Sequence, residues 1–162
     1  MPAVLPVALL VTVLGACGDE KADDPAGGDP TVAVSSPSGG QLDAVDFELV
    51  DTITETAAGG ATSEFAVPLG DDAAVQAFTS QFETDALPAR VQDAVAATDV
   101  PDGMLLYGAV VAIGCDAPTE VSVVVDDAGV VVTAHKVPSP MVECFAAMTT
   151  VALVLVPASA VS

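Results

Sequence analysis

The chain holds one histidine, His135, and its setting limits the chemistry available. A serine nucleophile needs a base beside it and an oxyanion hole. His135 stands next to Lys136 in a stretch that reads as a strand, and no Gly-x-Ser-x-Gly occurs. It is expected to be an exposed strand residue and not a base. Carboxylates come in pairs at Asp71-Asp72, Asp126-Asp127 and Asp43/Asp46. The first pair opens a helix, the second sits in a turn, and the third begins a strand. Carboxylates serve structure at such positions. None of the pairs fits an EF-hand loop. Sugar chemistry also lacks its aromatic platforms, with no Trp and one Tyr. There is no phosphate-binding glycine loop and no zinc motif. No enzyme, no cofactor and no resident metal is expected.

Three cysteines remain: Cys17, Cys115 and Cys144. Cys17 ends the run Leu14-Gly15-Ala16-Cys17, directly after an apolar stretch from Ala3 to Leu14. That stretch has the length of a secretory h-region. Met1-Pro2-Ala3 carries no Lys or Arg, so a start further upstream is expected. The four residues resemble the lipobox of bacterial lipoproteins: an aliphatic residue, two small residues, then the cysteine that becomes the lipidated N-terminus. The resemblance implies that residues 1–16 are a signal peptide. It implies that the Cys17 thiol takes a diacylglycerol and holds the protein to the outer face of the cytoplasmic membrane. Two or more acyl chains give stable anchoring, at ~0.8 kcal/mol per buried CH2.

Residues 17–40 are rich in Gly, Pro, Asp, Ser and Thr. Such a segment cannot bury enough surface to offset its ordering entropy, so a flexible tether is expected. Taking ~5–6 Å × √n, Gly18 to Gly40 reaches on the order of 25 Å. One globular domain is expected over residues 41–162.

The net charge is −20, from 23 acidic and three basic residues. Nucleic acid is excluded as a partner, because binding needs a cationic footprint. Anionic lipid headgroups would repel the domain, so attachment is expected through acyl chains. The 52% apolar content does not signal a retained membrane helix. No run approaches the roughly 20 residues needed, and Phe145 to Val156 carries Thr149 and Thr150 and ends as a strand.

Once Cys17 is lipidated, an even pair is left in an oxidising compartment. A Cys115–Cys144 disulfide is expected. It would tie the ends of two strands and make them neighbours.

The elements follow from pattern. Leu42 to Ile53 and Ser63 to Leu69 alternate, which predicts two strands. The turn at Ala57-Ala58-Gly59-Gly60-Ala61 would join them as a hairpin. Asp71 caps a helix carrying Val75, Phe78 and Phe82. Pro88 opens a second helix through Ala97. Arg90 on that helix is expected to pair with Asp93 or Asp85. Met104 to Ile113 reads as a central strand, with Gly108 marking a bulge or a close packing point. Glu120–Val125 and Val130–Lys136 flank Asp126-Asp127-Ala128-Gly129 as a hairpin. Thr149–Val156 closes the chain. The order ββααββββ predicts an α+β fold, a mostly antiparallel sheet with two helices on one face.

Phe65 to Val156 is similar to the C-terminal domain of bacterial protease-complex accessory lipoproteins. The shared features are a strand leading into the Val75, Phe78, Phe82 helix and then an apolar strand. A corner at Gly114-Cys115, a hairpin, the Pro138-Ser139-Pro140 connection and a closing strand follow. That family shows Gly-Gly-Tyr at the corner, where this chain has Gly114-Cys115-Asp116. The abundance of Ala, Val, Asp and Gly with few Lys also resembles actinobacterial lipoproteins. The anchor, the flexible tether and the lack of catalytic residues lead to the expectation of a surface-tethered interaction or accessory module, with an envelope protein as partner. The other reading is a lipoprotein that binds a small ligand or a divalent cation. An exposed apolar patch favours the first, an enclosed apolar cavity the second, and carboxylates clustered in a cleft an enzyme.

Overall fold

The computed structural model of the chain describes residues 43–161. The leader, the lipobox with Cys17, and the linker lie outside the described residues.

The domain is α+β, with two helices and wholly antiparallel strand pairing. The strands are β1 (Asp43–Ala44), β2 (Glu48–Thr56), β3 (Val67–Pro68), β4 (Met104–Gly114), β5 (Val121–Asp126), β6 (Gly129–Ala134) and β7 (Met148–Pro157). The helices are α1 (Asp72–Thr79) and α2 (Ala86–Ala97). Four strands form one sheet in the order β2-β7-β4-β3, and three form another in the order β1-β5-β6.

β7 organises both halves of the core. Alternate side chains of a strand leave on opposite faces. Val151, Leu153 and Leu155 face the helices and pack with Val75, Phe78, Leu87 and Val91. Ala152, Val154 and Val156 face the smaller sheet and pack with Val121, Val123, Val130 and Val132. The domain is therefore three layers deep: helices, a four-stranded sheet, and a three-stranded sheet. The continuous apolar run of β7 follows from burial on both faces. Its two threonines are buried but satisfied. Thr150 shares a hydrogen bond with Thr54 at 3.0 Å, and the Thr149 hydroxyl donates to the Gly59 carbonyl at 2.7 Å.

The sheets meet at two corners. The stretch predicted as one strand splits, so that β1 pairs with β5 while β2 pairs with β7. On the other side the Ala66 amide donates to the Val130 carbonyl at 2.7 Å, and the next two residues pair with β4. Strands that change sheet in this way make the corners of a packed pair.

The first hairpin does not form. β2 and β3 lie at opposite edges of the four-stranded sheet. The Ala57–Ala61 segment is a seam and not a hairpin turn. Gly59 bridges Phe82, the Glu83 amide donates to Ala58, and Ala58 is fully buried. Gly59 has φ +69° and Gly60 has φ +85°, a region in which a side chain is strained.

The helix start is as the sequence predicts. Asp71 is extended, and its carboxylate accepts from the Ala74 amide at 2.8 Å. α1 ends at Thr79, however, one turn before Phe82. Phe82 keeps its place in the core by packing edge-on against Phe78, ring centroids 5.8 Å apart. Of the two roles open to Gly108, close packing is the one observed. A Cβ there would lie 2.8 Å from Leu69 Cδ1. The bulge in β4 sits between Val110 and Ala112.

Candidate interaction surface

The candidate site is built on the connection from β6 to β7, residues 135–147, which holds no regular secondary structure. Connections longer than roughly 12–15 residues without structure are uncommon in compact domains, and those that occur are often functional. Pro138 and Pro140 each fix one backbone angle. Ser139 between them has φ +60°, an uncommon conformation for a residue with a side chain. The segment leaves the core here because two prolines cannot donate to a ladder.

Three ties hold it. Cys115 and Cys144 are joined as a disulfide, with Cα atoms 5.4 Å apart and a sequence separation of 29. The Asp116 carboxylate accepts from the Met141 amide at 3.0 Å. The Ala57 amide donates to the Ala147 carbonyl at 2.8 Å, where the segment enters β7. The disulfide joins the end of β4 to the approach of β7, and those strands are neighbours with Gly114 opposite Met148. Both expectations for this pair are met.

The braced segment turns its apolar side chains outward. Met141 is 54% exposed, Val142 is 95% exposed, and Phe145 is fully exposed. Single exposed apolar residues are ordinary, but grouped ones are not. Ile113, at the end of β4, is 40% exposed. It lines a hollow of about 240 Å³ with Cys115, Pro140, Val137, His135 and Lys136. The same loop thus carries the exposed apolar side chains and, through Val137 and Pro140, one wall of the hollow.

His135 lies just beyond β6 and not within it. Its Nδ1 is 3.6 Å from a Glu120 carboxylate oxygen, and the ring is half exposed. Arg90 pairs with neither Asp85 nor Asp93. Its guanidinium donates to the Thr54 carbonyl at 2.7 Å and lies 3.4 Å from the Glu55 carboxylate. The edge of β2 offers a free backbone acceptor, which same-helix acids do not.

The carboxylate pairs stay apart. Asp71 caps α1, and Asp126 accepts from the Ala128 and Gly129 amides at 2.8 and 3.0 Å. Asp43 belongs to β1. Among the described residues, no group of three or more His, Cys, Asp or Glu is placed to hold a metal ion. Among them, no helix is long and apolar enough to cross a membrane. A groove of about 440 Å³ runs between the helices and is lined by Asp72, Val75, Gln76, Gln92, Asp93 and Val95. Its lining mixes polar and apolar side chains, and it is open to solvent.

Sequence reasoning placed Cys115 and Cys144 but missed Met141, Val142 and Phe145. The available signal was the Pro-Ser-Pro connection followed by apolar residues and then a bridged cysteine.

Fold and surface together define a three-layer α+β domain that presents a disulfide-braced apolar loop. The chain matches no protein-family model, no curated protein and no solved structure.

Proposed function

We propose that the chain is an exported lipoprotein, anchored through Cys17 to the outer face of the bacterial cytoplasmic membrane. Its domain acts there as a non-catalytic interaction module of the envelope. The lipobox pattern at Leu14-Gly15-Ala16-Cys17 supports the anchor. The braced loop supports the module, and it is the observation that carries the reading. Fully exposing a Phe side chain forgoes roughly 1.5–3 kcal/mol of burial. A domain that sets one out on a covalent brace gains that term only when something covers it.

A photo-crosslinking residue at Val142 tests this in intact cells. Adducts with envelope material are expected several-fold above those from a control at Val100, an exposed residue of the turn before β4. They are expected to fall when Cys17→Ala removes the anchor. Equal labelling at the two positions would contradict the reading.

A further inference from the structure

We propose that the groove at the corner between the two sheets binds a small organic ammonium ligand. It shares no residue with the 135–147 loop, and the inference goes beyond the proposed function without resting on it.

The groove opens where the chain changes sheet. The Ala66 amide bonds to β6, and Pro68 lies opposite Tyr107 on β4. Residues 65–68 therefore cross from the smaller sheet to the larger. The turn of the β5–β6 hairpin lines the other side. The space is about 360 Å³, within the range of small-molecule sites. Phe65 is half-buried, and its ring lies against the bare backbone of Gly129. A Cβ on Gly129 would come within 3.3 Å of Phe65 Cδ1. That contact holds the ring at the wall of the groove.

Tyr107 is the observation that points to a ligand. It is 9% exposed, and it lines this groove. A buried tyrosine ordinarily gives its hydroxyl to a protein partner. Among the described residues none bonds to this one. Nor is the hydroxyl sealed in: among those residues, the side-chain oxygen that is both sealed and unpartnered is that of Thr84. The core thus fixes the ring, while a hydroxyl able to donate and to accept is left for what enters the groove.

Charge selects the class of ligand. Asp126 and Asp127 line the groove, and no Lys, Arg or His does. Both turn bonds of Asp126, from the Ala128 and Gly129 amides, end on Oδ1, so its second oxygen is unpaired. Asp127 is exposed and has no partner among the described residues. Anions are repelled from such a place. A hard divalent cation takes about six or more oxygens, and here the carboxylates and one hydroxyl stand among aromatic and aliphatic walls. An organic ammonium uses all of it. Its charge meets the carboxylates and the faces of Phe65 and Tyr107. Its carbon body meets Pro68 and Val161, and a polar group on it meets the Tyr107 hydroxyl.

The protein carries its own reporter. Tyr107 is the only Tyr and there is no Trp, so the tyrosine emission of the full chain reads this groove alone. The probes are choline and its neutral carbon analogue 3,3-dimethylbutan-1-ol, which share a shape and a hydroxyl and differ in charge. Both are titrated at physiological ionic strength, where the field of distant charges is screened beyond about 8 Å. Choline is expected to change the emission saturably, with half-saturation about tenfold below that of the alcohol. Phe65→Leu and Asp127→Asn should each raise the choline value several-fold. Asp93→Asn, at an exposed carboxylate on α2 outside the groove, should leave it unchanged. Asp127 is an exposed turn residue, so its variant keeps the test in force even if Phe65→Leu unfolds the domain. Equal response to the two probes overturns the proposal, and so does the lack of any saturable change. A loss in Asp93→Asn as large as in Asp127→Asn also overturns it, because net charge alone would then account for binding. None of these outcomes bears on the anchor or on the loop.

Discussion

Leu153→Ala is expected to destabilise the domain by about 3–4 kcal/mol, as buried Leu-to-Ala changes do when the site cannot collapse. Leu153 is fully buried on the central strand, between β2 and β4 and beneath the helices. Strands on both sides fix its backbone, so relaxation into the gap is limited. For a domain of this size the fall in Tm is on the order of 10–15 °C. Leu105→Ala, at a 40% exposed position on β4, is the comparison and should change stability far less. Urea or thermal unfolding followed by circular dichroism reads both. A Leu153→Ala protein as stable as the Leu105→Ala protein would remove β7 from the centre of the core.

Opening the Cys115–Cys144 bridge should cost nearly as much. The bridge spans 29 residues of sequence, and a closed loop of that length is worth about 3.5 kcal/mol on the loop-entropy model. The double variant Cys115→Ser, Cys144→Ser avoids a stray thiol and is expected to unfold at correspondingly lower urea. Its effect should also be local. β4 and β7 stay paired through their own ladder, whereas the loop keeps the His135–Glu120 bond at its entry, the Asp116–Met141 bond at its middle and the Ala57–Ala147 bond at its exit. Limited proteolysis should therefore cut first next to Met141 or Phe145 in the variant. Cleavage elsewhere at the same rate in both proteins would mean that the bridge does not hold the loop.

Much of the fold is legible where one residue type has one physical reason. Asp71 caps a helix because only a side-chain acceptor meets those free amides. Asp126-Asp127-Ala128-Gly129 reads as a hairpin turn, and β5 and β6 pair across it in register from Val121–Ala134 to Asp126–Gly129. The unbroken run through Val156 reads as a strand covered on both faces. The first hairpin shows the limit. Period-two alternation tells which face of a strand is buried, not which strand lies beside it. β2 found β7, with Thr54 opposite Thr150, across most of the domain. Arg90 illustrates the same point at one side chain, since its partners Thr54 and Glu55 come from a strand and not from its own helix.

The candidate surface was half legible. Cysteine parity and compartment give the bridge. The exposure of Met141, Val142 and Phe145 depends on where the prolines release the chain and where the bridge catches it again. Those are facts of three-dimensional closure. The sequence pattern places the last strand at Thr149–Val156 and assigns no exposure to the residues before it.

The first measurement to make is the mass of the N-terminal peptide of the protein recovered from cell membranes. A peptide that begins at Cys17 and carries a thioether-linked diacylglycerol is the predicted result, and it places the domain within tether reach of a bilayer. A peptide that begins upstream of Cys17, or a Cys17 with a free thiol, contradicts the lipoprotein reading.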